Sequence, residues 1–362
     1  ARTGGTVGKS FLVSDAPERA IYAGYLIRTR YSEQLVPKYL KMYMDSDLYW
    51  TQLKDGTITM AQPNCNGNTL SKMFIPIPPH EEQLRIVSKL DELENHLDKY
   101  HEAYRGLSTL NANIKPQLKK SILQEAIQGK LVPQDPNDEP AAALLHRIKT
   151  EKQRLVKNKK NKTDKNESSI FKAPDGSFYE KLPDDSTTCI DDQIPFDIPD
   201  TWQWVRLGTI FQHNSGKALN SADKTGTLHQ YITTSNLYWE GFVLDNLKSM
   251  YFKDSELDKC TAIKGDLLVC EGGDVGRACI WNYDYPICIQ NHIHKLRCFA
   301  ELNIKFFYYM FYHFKNAGLI GGKGIGLKGF SANVLHNLII PVPPIAEQTR
   351  IVKKIEQAMS TI

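Results

Sequence analysis

A chain of 362 residues, 41% apolar and 24% charged, has room for two or three domains and the composition of ordinary folded protein. Its formal charge of +4 is too mild to mark the whole chain as a polyanion binder, and no run of about 18 apolar residues exists to span a membrane. The opening ARTGG has no charged-then-apolar leader, and the seven cysteines form no C-x-x-C pair. Buried, reduced thiols in a cytoplasmic protein are the expectation, rather than zinc or disulfides.

In chain order, short β-like runs at 10–13 and 25–30 precede an expected helix over 36–53 and a Gly/Asn/Thr-rich loop over 56–69. A long helix then starts after Pro79. Along it Ile86, Leu90, Leu93, Leu97, Tyr100, Tyr104, Leu107, Asn111, Ile114 and Leu118 recur in steps of four and three. That is a heptad seam with one polar position, suited to packing against a partner helix. Running to about residue 128, it would measure roughly 65 Å at 1.5 Å per residue. Pro116 is expected to kink it and Gly129 to stop it. A second amphipathic helix is expected over 141–156. Between Arg147 and Lys165 nine Lys/Arg face two acidic residues, which reads as a solvated helix face leading into a polar tether over 157–169.

The segment 194–344 repeats the first order at greater length. Strands are expected at 266–270, 278–281, 287–296 and 338–342, an aromatic helix at 303–316 and a glycine-rich loop at 318–329. The correspondence is also literal. IPIPPHEEQLRIVSK at 75–89 returns as IPVPPIAEQTRIVKK at 340–354, and GGTVGK at 4–9 returns as GGDVGR at 272–277. A period of about 265 residues is too long for a solenoid unit and marks a duplicated domain, each copy followed by a helix. The opening IPFDIPDTWQWVRLG at 194–208 has no counterpart in the first copy, which therefore reads as the later half of its domain. The expected division is 1–79, the end of a first domain; 80–130, the spacer helix; 131–193, a helix and basic linker; 194–344, a second domain; and 345–362, the start of a distal helix that should pack along the seam of the first.

Apparent catalytic motifs fail on spacing. Gly4–Ser10 mimics a phosphate loop but has Thr3 where that motif needs glycine, and the second copy replaces Lys-Ser by Arg277-Ala278. A tight structural turn, or a loop offering amides and a cation to a DNA phosphate, are the readings left open. The glycines at 324, 326 and 329 follow a helix rather than a strand, against a dinucleotide site. His292 and His294 have no third metal ligand nearby, and Asp175 with Glu180-Lys181 has the wrong spacing for a nuclease.

The doubled P-x-P-P-x-x-E-Q-x-R-I-V motif, the segment KKSILQEAIQGKLVPQDPNDEPAAALLHRIKTEKQRL at 119–155 and the IPFDIPDTW opening together resemble the DNA-specificity subunits of type I restriction–modification systems. The resemblance covers nearly the whole chain. It implies an α+β fold with two target-recognition-type α/β domains, the first incomplete here, joined by long coiled-coil-forming helices. It also implies a non-catalytic subunit that reads a split target in double-stranded DNA, with the helices as a ruler. Methyltransferase (modification) subunits and restriction/translocase subunits would dock on it, and S-adenosylmethionine, ATP and Mg would belong to those partners. Two alternatives stand beside it: the specificity portion of a fused methyltransferase–nuclease, or an inactive truncated product. For DNA, Lys9, Lys217, Arg277, Lys323 and Lys328 are candidate phosphate contacts. Gln290, Asn291 and His292 are candidate base-edge groups, since amides pair well with adenine, although strand-edge residues satisfying local backbone would look the same. Tyr231, Tyr238 and Trp239 read as packing rather than stacking platforms.

Overall fold

The computed structural model describes residues 1–15, 18–56, 65–157, 168–220, 222–320 and 330–362. The chain divides into two compact units, 1–112 and 113–362. In the first, a 3-10 turn at Gly4–Thr6 is followed by helices α1 (Pro37–Asp45), α2 (Asp47–Gly56), α3 (Gly67–Ser71) and the start of α4 (His80–Ile127). The single helix expected over 36–53 is thus two. Ser46 takes extended backbone angles, ends α1 and offers its hydroxyl to the Tyr49 amide at 3.4 Å, as an N-capping serine does. The strands expected at 10–13 and 25–30 do not form. A strand needs a hydrogen-bonded neighbour, and here Phe11, Val13, Tyr25 and Leu26 lie exposed. The unit's core is small: Tyr49, Leu53 and Cys65, with Val7, Trp50, Leu70 and Met73 against them.

The phosphate-loop mimic is a tight turn in both copies. Gly8 has φ +85°, and a Cβ there would lie 2.1 Å from Leu53 Cδ2. Its counterpart Gly276 has φ +80°, and a Cβ would lie 2.8 Å from Ile320 Cδ1. Both turns close the same way, Lys9 N–H to Thr6 O at 3.1 Å and Arg277 N–H to Asp274 O at 3.0 Å.

Helix α4 runs 48 residues, about 70 Å, and is continuous through Pro116. Gly129, with φ +72°, stops it as expected. Lys130 N–H bonds Glu125 O at 2.8 Å and Gly129 N–H bonds Ala126 O at 3.3 Å, the paired bonds of a Schellman cap. The seam residues Leu90, Leu93, Leu97, Tyr100, Tyr104, Leu107, Ile114 and Leu118 are 39 to 64% exposed, so no described part of this chain covers them.

The second unit holds the rest of α4, then α5 (Ala141–Lys157) and a sheet that was not expected, β1 (Ser169–Lys172), β2 (Phe178–Lys181) and β3 (Thr187–Cys189), an antiparallel meander. After it come β4 (Gln203–Arg206), α6 (Leu207–Ile210), β5 (Phe211–Ser215), β6 (Thr227–Ile232), β7 (Lys248–Phe252), α7 (Asp254–Cys260), β8 (Thr261–Ala262), β9 (Leu267–Cys270) and β10 (Ala278–Ile280). The chain closes with β11 (Ile287–Ile289), β12 (Ile293–Cys298), α8 (Ile304–Asn316), α9 (Ala332–His336), β13 (Ile339–Val342) and α10 (Ile345–Thr361). Two four-stranded sheets, β10-β9-β12-β5 and β7-β6-β11-β8, form the centre. On β9, Leu267 and Val269 face a core shared with Phe306, Phe307, Met310, Phe311 and Phe314 of α8; Leu268 and Cys270 face Ile232, Ile289 and Trp281. Burial on both faces explains why this strand reads as an unbroken apolar run. Cys270, Cys279 and Cys288 are buried in these layers as free thiols, and burial pushes Cys279 up to about 11. The strand expected over 287–296 is two strands in different sheets, with Gln290, Asn291 and His292 at the crossing.

The repeated motif makes the same joint twice. Gln83 is 1% exposed: its side-chain amide donates to Pro78 O at 2.9 Å and its oxygen accepts the Val36 N–H at 2.8 Å, where Val36 is the N-cap of α1. Gln348 is fully buried: it donates to Pro343 O at 2.9 Å and accepts the Asn303 N–H at 3.0 Å, where Asn303 is the N-cap of α8. One amide thus satisfies a proline carbonyl with no strand partner and an orphan donor at a helix start. The preceding glutamate differs between copies. Glu347 is fully buried and accepts Trp202 Nε1–H at 2.9 Å and Gln134 Nε2–H at 2.6 Å, while Arg350 reaches Asp138 at 3.0 Å. Glu82 and Arg85 are exposed, with no side-chain hydrogen bond or ion pair to another described residue. Within the second unit, the apolar residues Ile351, Val352 and Ile355 of the distal helix α10 join the core of α8 and of Leu123, Ala126 and Ile127 at the α4 end. Chemical denaturation should show Gln348→Ala and Glu347→Ala each costing about 1–3 kcal/mol, because each leaves buried partners unsatisfied. Glu82→Ala should stay within about 0.5 kcal/mol; equal costs for Glu82 and Glu347 would contradict the asymmetry.

Candidate nucleic-acid interface

Four loops of the second unit converge at the sheet crossing. Gly216, just after β5, presses on β11: a Cβ there would lie 2.2 Å from Ile289 O, so no side chain fits. Lys217 N–H bonds Ile289 O and Asn291 N–H bonds Lys217 O, each at 3.0 Å, tying the 215–217 turn to the 290–292 turn. Gln290 N–H bonds Ile232 O at 3.0 Å, bringing in the loop after β6, and Glu271 N–H bonds His292 O at 2.9 Å, bringing in the turn after β9. The loop after β6 is self-braced: the Asn236 carboxamide oxygen accepts the Thr233 N–H at 2.9 Å. Arg277 closes the ring through Nη2–H to Thr234 O at 2.7 Å.

The sequence placed Gln290, Asn291, His292, Lys217 and Arg277 here, and the fold does bring them together. Their roles divide differently. Lys217 is not a free cation: its side chain is 11% exposed, and Nζ donates to Glu256 at 2.7 Å and Tyr251 O at 2.9 Å above the Phe252 ring. Lys217 in turn holds the Glu256 carboxyl below its ordinary range. Arg277 is likewise spent internally, on Thr234 O, on Asp274 at 3.6 Å and on the Tyr238 ring at 4.9 Å. In the chain alone, each cation pairs with a nearby carboxylate and carbonyl. Tyr231 is buried and Trp239 packs edge-on against Tyr308 and Tyr312, as packing residues would.

The side-chain amides of Gln290 and Asn291 are different. Both are half-buried, and neither side chain bonds another described residue. His292 is exposed, its Nδ1 3.6 Å from Glu271. Thr234, Ser235 and Glu271, which the sequence reading passed over, frame them. Their signal was weak, since a Thr-Thr-Ser-Asn run looks like any turn. Lys9 is exposed on its turn in the first unit. Lys323 and Lys328 lie outside the described residues.

Beneath the loops sits a histidine pair. His294 Nε2–H donates to Phe330 O at 2.8 Å, which leaves its Nδ1 as acceptor for His213 Nε2–H at 3.0 Å and the Ser215 hydroxyl at 3.3 Å. Burial, with the neighbouring imidazoles adding, lowers His213 to about 3, and burial lowers His294 too.

Among known proteins, the family model for the type I restriction modification DNA specificity domain matches residues 2–103 and 199–362. The EcoAI specificity subunit of Escherichia coli is 29% identical over 286 residues, 75% of this chain but 44% of that one. The EcoEI specificity subunit of the same organism is 40% identical over 120 residues, 33% of this chain and 17% of that one. Of solved structures, the HsdS subunit from Thermoanaerobacter tengcongensis superposes with a TM-score of 0.43 at 19% identity, covering 91% of this chain and 64% of that one. The chain spans less than half the length of these curated relatives.

Two outcomes follow from this geometry. Gln290→Ala and Asn291→Ala should each leave stability within about 0.5 kcal/mol, while Lys217→Ala should cost about 1–3 kcal/mol by orphaning Glu256 and Tyr251 O; the reverse order in denaturant titrations would reassign these residues. Because His213 binds its proton only near pH 3 when folded, and near pH 6.5 when unfolded, the unfolded state takes up more protons between those values. Stability should therefore fall as pH drops from 6.5 towards 3, and His213→Phe should flatten that slope. The matched residues take in nearly all of both copies of the domain and the whole of the paired motifs that end them, and the chain belongs to the type I restriction–modification DNA-specificity family.

Proposed function

We propose that this chain is a DNA-recognition component of a type I restriction–modification complex. It reads double-stranded DNA through two related units and has no chemistry of its own. The observation that carries this is the loop cluster at the sheet crossing, where two amides stand uncommitted inside a frame of residues that are all tied down. An uncommitted Gln or Asn amide is the group that makes bidentate bonds to an adenine edge, and a fixed frame is what makes such a bond discriminating. Gln290, Asn291 and His292 are assigned to base edges; Lys9, Lys323 and Lys328 are assigned to phosphates. The duplication of the domain supports a bipartite target, with the length of α4 setting the gap between its halves.

The modification and restriction subunits are the partners this reading requires, with the bare seam of α4 available to protein contact. The methyl donor, ATP and Mg would be held by those partners, and the assembled complex would be the adenine methyltransferase and site-specific nuclease. That the matched relatives are named as specificity subunits of type I restriction enzymes supports the assignment.

Fluorescence anisotropy of the purified chain on a labelled duplex, titrated with salt, tests it. Log affinity should fall linearly with log salt, with a slope of about −0.9 per phosphate neutralised. Lys9→Ala should reduce that slope by about one unit on any sequence. Affinity that is absent, or indifferent to salt, would leave a helical scaffold without a DNA role.

A further inference from the structure

Three segments that carry candidate DNA contacts meet on one buried side chain. His294 is fully buried two residues after His292, at the start of β12. Its Nε2–H holds Phe330 O, the first described residue after 321–329, at 2.8 Å. Its Nδ1 takes the Ser215 hydroxyl at 3.3 Å, at the head of the 215–217 turn, and His213 Nε2–H at 3.0 Å. The other flank of 321–329 is pinned as well, since Ile320 packs against Gly276 beside Arg277. A neutral imidazole offers a donor and an acceptor on separated ring atoms. A phenyl ring fills that volume but links nothing, and a carboxamide carries both groups at one end.

We propose that His294 is a positioning residue for sequence reading: it touches no DNA, and it holds the 290–292 turn, the Ser215 turn and the Phe330 flank in one mutual arrangement. This rests on the DNA reading proposed above. His213 of β5 stands beside His294, with His292 and Glu271 in the turns above and His336 of α9 opposing charge on His213; burial keeps both buried imidazoles neutral, which preserves the Nδ1 acceptor.

The test uses the whole purified chain. A duplex enriched from a randomised library is compared with a scrambled duplex of equal composition, both at pH 7.5. His294→Phe should lower the ratio of the two affinities about tenfold, the loss of one good base contact, with binding to the scrambled duplex unchanged. Ser215→Ala should lower the ratio by about threefold, the loss of one hydrogen bond. Ser215→Ala carries the test alone if His294→Phe does not fold, as judged by circular dichroism. Wild-type ratios in these variants, or a ratio that falls only in step with unfolding, would overturn the positioning role. A wild-type chain that binds neither duplex would instead overturn the DNA reading beneath it.

Discussion

A single side-chain amide, made twice, holds each domain to its helix. Prolines at 76, 78 and 79, and again at 341, 343 and 344, close each domain, and the carbonyls of Pro78 and Pro343 lie outside any strand. Close by, the first turn of a domain helix presents backbone N–H groups that no helix can satisfy from within. Gln83 and Gln348 answer both needs with one group, buried where water cannot substitute. The glutamine itself sits in the first turn of the outgoing helix. Domain helix, exit segment and outgoing helix are therefore bound at one point in each unit, and helix direction is set by the domain it leaves.

Where the two copies part company is as telling as where they agree. Val87 and Val352 are both buried beside the joint, yet Ile355 is fully buried and its counterpart Leu90 is 39% exposed. What covers the second copy is Trp202, Gln134 and Asp138 together with the end of α4, and Gly129 makes this possible. A Cβ at Gly129 would lie 2.5 Å from the Pro199 ring, so the helix stop and the close approach of the Trp202 loop require the same residue. The IPDTW opening that the sequence marks as present once is thus the element that buries Glu347.

The joint was legible because its two copies quote each other and proline and glutamine have few structural uses in that order. The centre of the second unit was legible as strands but not as sheets. Ile287–Cys298 is broken by the polar Gln290-Asn291-His292, but with no glycine or proline there that break did not show that the chain crosses from one buried layer to the next. The β1–β3 meander had a signal that went unused. APDGS at 173–177 and LPDDS at 182–186 close alike, Ala173 N–H to Ser177 O and Leu182 N–H to Ser186 O, with Gly176 and Asp185 at positive φ. The partners of Lys217 and Arg277 were not legible for a different reason: residue type reports a charge, and only the fold shows Glu256 and Asp274 beside it. The amides at 290 and 291 survive the same scrutiny because nothing described claims them.

Amide hydrogen exchange at Val36 and Asn303 measures the joint directly, since each N–H has a glutamine side chain as its acceptor. Both amides should be strongly protected in the native chain. Protection should be lost at Val36 alone in Gln83→Ala and at Asn303 alone in Gln348→Ala. Exchange of both amides at the rate of open loops in the unaltered protein would mean that the repeated motif does not hold domain to helix.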